Sequence, residues 1–284
     1  MAAFGPAVDA LTRHAGQTLT WRPAFHPLVE APTADPGVIA VDGSNAVLAD
    51  NGAVWVVAHR ATALAWPGPA APIDAVITAA TPADAARMIG RPVAGADAFG
   101  AALRERAEAR ALRDAIAAAP AGLLVLADGA LRGLPPDAQG EMDAARRLAA
   151  DRSVTLVGVS KRSGLERDGV ALVPALHAAG PPGRWAAAVG EGVWVARLHA
   201  AAPCAFRIDA DDVADVARLV DLARDAAYVG YPYPLAKAHN QVAFTAGAVA
   251  ELKGGLERAL RKSGGAALAA VADFHDTLDR NVVG

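Results

Sequence analysis

Two aspartates stand where apolar runs end. Val38-Ile39-Ala40-Val41 leads into Asp42-Gly43, and Leu123-Leu124-Val125-Leu126-Ala127 leads into Asp128-Gly129. A single Asp-Gly pair is ordinary turn chemistry, because Asp hydrogen-bonds nearby backbone and Gly accepts a positive φ. Two such pairs closing two buried strands suggest a further use, because hard divalent cations need converging carboxylate oxygens.

A third acid is available from the helix expected between these strands. At a period of 3.6 residues, Arg106, Arg110, Arg113 and Asp114 share one solvated face. Glu108 lies nearly opposite, on the stripe of Leu112 and Ile116. A carboxylate on a stripe facing the sheet is costly to bury unless it is paired or metal-bound. Glu105 falls on the same stripe, and periodicity does not separate the two. Glu108 is favoured as the more nearly opposite to the arginines, and the competing reading is a half-exposed glutamate whose stem covers the core.

Lys161 ends an apolar run in Val157-Gly158-Val159-Ser160-Lys161. Alone it reads as a surface lysine, while beside clustered carboxylates it could hold a phosphate as a point charge. Tyr231-Pro232-Tyr233-Pro234-Leu235-Ala236-Lys237-Ala238-His239 is the most distinctive string in the chain. Pro234 suits a first helical turn. His239 then shares a stripe with Leu235, Val242, Ala246 and Val249, where a packed core histidine competes with a metal ligand.

The elements that must position these groups follow from apolar runs and turn signals. Strands are expected over 38–41, 53–59, 73–78, 123–127 and 154–160, then over 185–189, 193–199 and 206–209. Helices are expected over 6–20, from 82, and over 97–118, 136–150, 211–227, 234–252 and 266–279, with an irregular proline-rich lead-in over 21–36. Three consecutive strands, then helices, a strand, a helix and a strand, is the order of an RNase H-like core. The fold class is α/β, a mixed central sheet flanked by helices. In that order the first and fourth strands lie side by side, which brings Asp42 and Asp128 together. A single domain is expected over 1–284, with its core over about 37–253.

These strings resemble the NurA nuclease family in order along the chain. The resemblance rests on Asp42-Gly43-Ser44 after the first strand, a helical glutamate, Asp128-Gly129-Ala130-Leu131 after the fourth, Ser160-Lys161 after the fifth, and Tyr231 to His239. Ala130 stands where a serine is common, and the helical acid does not align uniquely. The resemblance implies a manganese-dependent DNA nuclease, with Mg²⁺ as an alternative metal. It would act as a 5′–3′ exonuclease and single-strand endonuclease in end resection during break repair. It further implies a homodimer docked on a hexameric DNA-translocating ATPase, HerA, while the lone Cys204 leads to the expectation of a cytoplasmic protein. By the resemblance, Asp42, Glu108 and Asp128 are metal ligands, His239 is a further metal ligand or a proton-transfer group, Lys161 neutralises phosphate charge, and Tyr231 positions substrate.

Bulk properties narrow the alternatives. The chain has 284 residues, is 54% hydrophobic and carries a formal charge of -3. Any basic DNA-binding surface must therefore be local. The single cysteine, Cys204, excludes a disulfide framework and a zinc ribbon. No signal peptide or membrane span is expected. No lysine lies in a G-x-x-x-x-G-K-[ST] setting, so a motor would have to be external. Two rival readings are an inactive NurA-like scaffold and an actin-like kinase or ATPase. The retained acids argue against the first, and the lack of glycine- and threonine-rich phosphate loops argues against the second.

Overall fold

The apolar run before Asp128 becomes the middle of the sheet. Leu124, Val125 and Leu126 have no exposed surface, as expected for a central strand covered on both faces. Burial of each such side chain stabilises the fold by about 1.5–3 kcal/mol. The structure, a computed structural model, describes residues 19, 21, 23–30, 37–69, 71–134 and 136–264, without the side chains of 136 and 137. The helices expected over 6–20 and 266–279 lie, but for residue 19, outside the described residues.

The strands are β1 (Phe25–Pro27), β2 (Val38–Asp50), β3 (Trp55–Trp66), β4 (Val76–Ala80), β5 (Leu124–Asp128), β6 (Thr155–Ser160), β7 (Glu166–Arg167), β8 (Val170–Ala171), β9 (Trp185–Gly190), β10 (Val193–Arg197) and β11 (Phe206–Asp209). The helices are α1 (Pro82–Ile89), α2 (Ala96–Ala118), α3 (Pro136–Asp151), α4 (Leu172–Ala179), α5 (Val213–Ala217), α6 (Leu219–Leu222), α7 (Tyr233–Val242) and α8 (Ala246–Lys262). Among the described residues, nine strands form one sheet in the order β1-β9-β10-β11-β6-β5-β2-β3-β4, and β7 and β8 form a separate hairpin. β5 runs parallel to both β2 and β6, while the other strand pairs of known register are antiparallel. This is the mixed α/β sheet expected from the sequence, with the first and fourth expected strands side by side.

The chain groups into two compact units. The first comprises residues through Val41, Ala63–Pro69 and Leu112–Lys237; the second comprises Asp42–Thr62, Ala70–Ala111 and residues from Ala238 onward. The division passes within β2, β3, α2 and α7. In the first unit a cluster of Leu172, Leu176, Trp185, Ala187 and Val195 is buried, and Phe25 meets Trp185 edge to face at 4.9 Å. In the second, Trp55, Val57, Ala85, Ile89, Phe99 and Leu103 form the core. There Thr81 caps α1 by accepting the Asp84 N–H, and Arg106 on α2 donates to the carbonyls of Met88 and Ile89 at the other end of α1. Both contacts satisfy helix-end groups that lack intrahelical partners.

Several boundaries differ from the sequence reading, each for a local reason. The strand expected to stop at Asp42 continues to Asp50. The lead-in over 21–36 contributes β1, which pairs with β9. The helix expected over 211–227 is two short helices; the second ends at Leu222, where the Ala223 N–H bonds to the Val220 carbonyl, and beyond it the Asp225 carboxylate accepts the Ala227 N–H. The helix expected over 234–252 is also two. Arg60 donates to the carbonyls of Val242 and Ala243 at the end of α7, and Thr245 caps the start of α8 through the Ala248 N–H. Hydrophobic periodicity continues across 243–245 because both helices present apolar stripes, and it is blind to a break made by caps.

Candidate metal centre

Asp42 is buried within β2, 4% exposed. Its Oδ1 accepts the Gly43 N–H at 2.7 Å, and its Oδ2 lies 2.9 Å from His239 Nδ1. When Nδ1 carries the proton this is an N–H···O bond and Nε2 keeps its lone pair. His239 is on the last turns of α7, where Leu235, Ala238 and Val242 are fully buried. The histidine side chain is half exposed. It is therefore not a packed core residue, although it belongs to an otherwise apolar stripe.

Gly43 is not a turn residue, because β2 runs through it. Its reason is space. A Cβ there would fall 2.6 Å from Glu108 Cγ, 2.7 Å from Glu108 Oε1 and 3.1 Å from the Arg60 carbonyl oxygen. The glutamate of α2 lies flat against the backbone beside Asp42. Glu108 is the inward acid, with its side chain 18% exposed against 51% for Glu105. Arg104, one turn earlier, donates to Glu108 Oε1 at 3.0 Å. The arginine face fits expectation: Arg106, Arg110 and Asp114 are exposed, whereas Leu112 and Ile116 are buried.

Asp128 closes β5, and Gly129 follows with φ +143°. Lys161, the first residue after β6, pairs its Nζ with Asp128 Oδ2 at 2.5 Å. That meeting follows from register, since Asp128 is the Cα partner of Val159 on the parallel strand. Lys161 Nζ also stands 5.3 Å from the ring centroid of Tyr231, a cation–π distance. Tyr231 is buried and packs on Phe206 at 5.4 Å.

Register explains how the two aspartates come together. Val41 on β2 is the Cα partner of Ala127 on β5, and each acid is the next residue of its strand. One ligand atom each from Asp42, Asp128 and His239 all fall within 4.8 Å of one another. This is the one such group of three or more potential metal ligands among the described residues. Two carboxylates and an imidazole are a donor set that can hold a divalent cation. Glu108 stands outside that trio.

The sequence reading did not single out Arg60, Arg207 or Asp209. Arg60 holds the end of α7 and stacks over Phe244 at 4.5 Å. Arg207 and Asp209 form a buried ion pair on β11. Their importance lies in partners distant in sequence, and no local pattern signals it.

No protein-family model matches the sequence, and no curated protein matches it significantly. Solved structures do match by fold. The NurA nuclease from Sulfolobus solfataricus superposes with a TM-score of 0.60 at 14% identity, covering 92% of this chain and 95% of that one. Another NurA structure gives 0.58 at 8% identity, covering 90% and 96%. A NurA structure bound to dAMP and manganese gives 0.51 at 9% identity, covering 84% and 89%. The chain has the NurA nuclease fold. Among the described residues, no helix is long and apolar enough to cross a membrane.

Proposed function

We propose that this chain is a divalent-metal-dependent nuclease that hydrolyses DNA phosphodiester bonds. The observation that carries the reading is the convergence of Asp42, Asp128 and His239 within 4.8 Å, in a fold shared with NurA nucleases. In this reading those three residues hold the metal, and Glu108 joins as a ligand or holds a metal-bound water. When bound, Mn²⁺ or Mg²⁺ supplies Lewis-acid stabilisation of phosphoryl charge and a more acidic water.

The chain's own groups do the rest. Asp42 also orients the His239 imidazole through the Nδ1 contact. Lys161, held between Asp128 and the face of Tyr231, presents positive charge to a phosphate oxygen. Tyr231 fixes the lysine and the substrate beside it. The manganese in one structural neighbour supports Mn²⁺ as the working metal.

The reading extends to 5′–3′ exonuclease and single-strand endonuclease activity in end resection and break repair, by a cytoplasmic homodimer docked on a HerA-like hexameric ATPase. Purified protein incubated with end-labelled single- and double-stranded DNA, with Mn²⁺, Mg²⁺ or chelator, tests it. Metal-dependent cleavage is expected. Intact DNA under every metal condition, with and without the ATPase, would sink the reading.

A further inference from the structure

We propose that Asp209 is a positioning residue for the metal centre, acting through the loop that follows Asp128. This rests on the metal-dependent reading above. Asp209 ends β11 and is 1% exposed. Its carboxylate accepts four hydrogen bonds. Leu131 N–H reaches Oδ2 at 2.7 Å and Arg132 N–H at 2.9 Å. Arg207, two residues back on the same face of the strand, donates Nε to Oδ1 at 2.7 Å and Nη2 to Oδ2 at 2.9 Å. Arg207 Nη2 also donates to the Arg132 carbonyl at 2.5 Å. A buried bidentate ion pair thus grips three backbone groups of residues 131–132.

The same loop is pressed onto β6 from its other end. Gly129 N–H donates to the Val159 carbonyl at 2.9 Å. Gly158 is the Cα partner of Asp209 on one side and of Ala127 on the other. A Cβ at Gly158 would fall 2.6 Å from the Gly129 oxygen and 2.8 Å from Leu131 Cγ. Asp128 is the residue from which this clamped segment departs. The direction of its carboxylate is therefore set by a backbone with little freedom.

Stability alone is a poor reason for this arrangement. Desolvating a carboxylate and a guanidinium is expensive, and well-packed apolar residues in such places are often as stable or more so. What the pair supplies is geometry: charge-assisted, directional bonds that hold a loop backbone in one place. A metal site needs that, because ligands displaced by about 0.5 Å lose productive geometry.

The test compares wild type with Asp209→Asn and Gly158→Ala, and with Arg207→Lys, which keeps the charge but loses the bidentate fork. Mn²⁺ affinity is read by calorimetry on DNA-free protein, beside thermal melts and a nuclease assay over a Mn²⁺ series. We expect Mn²⁺ affinity to weaken about 10–100-fold, the range for outer-shell partners of metal ligands. Excess Mn²⁺ should recover cleavage in part. Should Asp209→Asn fail to fold, Gly158→Ala decides, because it displaces the loop without touching the buried charges. Folded variants with wild-type Mn²⁺ affinity would overturn the inference while leaving the nuclease reading in place. A wild-type protein that binds neither Mn²⁺ nor Mg²⁺ would overturn both.

Discussion

His239 Nδ1 and Asp42 Oδ2 face each other at 2.9 Å across 197 residues of chain. The contact joins a half-exposed imidazole to a carboxylate that is 4% exposed. A histidine serving only the core would not leave half its surface to solvent. His239→Asn should therefore remain folded and lose cleavage, with thermal melts run beside the nuclease assay. An active variant would leave the metal to the carboxylates.

Asp42→Asn and Asp128→Asn should each abolish cleavage with little change in melting temperature. Each replaces an anionic oxygen in the trio by an amide, and Asp42→Asn also weakens the bond that orients His239. Mn²⁺ titration calorimetry should show affinity lost in both. Near wild-type cleavage by either variant would disprove the assignment.

The two helical glutamates should separate cleanly. Glu108→Gln should lose far more activity than Glu105→Gln, because Glu108 lies against Gly43 beside Asp42 while Glu105 is half exposed. The opposite ranking in one assay would move the role to Glu105.

Gly43→Ala tests the close approach itself. The added methyl would overlap Glu108 Cγ and Oε1. Overpacking of this kind costs about 1–3 kcal/mol, measurable by urea unfolding. An accompanying loss of activity should exceed the unfolded fraction, because Glu108 must move. A variant as stable and active as wild type would show that the glutamate moves aside without consequence.

Acid should destabilise the fold partly through His59. Burial pushes its pKa below the ordinary 6.5, so the folded state binds fewer protons than the unfolded one. The linkage contribution is fully present above 6.5 and is lost as pH falls from there through the folded pKa. His59→Gln should flatten the urea-measured stability in that window. An unchanged slope would assign the acid sensitivity to other groups.

The parts of the site legible in sequence were those tied to strand ends. Leu123 to Ala127 reads as a buried strand, and the RNase H-like order of elements puts the run ending at Val41 beside it, so that order pairs Asp42 with Asp128. Other parts depended on contacts made only after folding. Asp42-Gly43 reads as a turn, because nothing local says that Glu108 requires the missing Cβ. The stripe from His239 to Val249 reads as one helix, because Arg60 and Thr245, which end one helix and begin the next, carry no periodic signal. Asp209 looks like the last residue of a strand until its partners at 131–132 are known.

The span between Asp42 and His239 also orders events during biosynthesis. A ribosome adding about 5–20 residues per second needs about 10–40 s to pass from one to the other. During that interval both aspartates can already be in a growing chain that has no His239. Under the proposed reading, DNA-cutting competence waits until residue 239 has been added. A product terminated before residue 239 would carry the acids without the imidazole and, on the same reading, would lack a complete metal site.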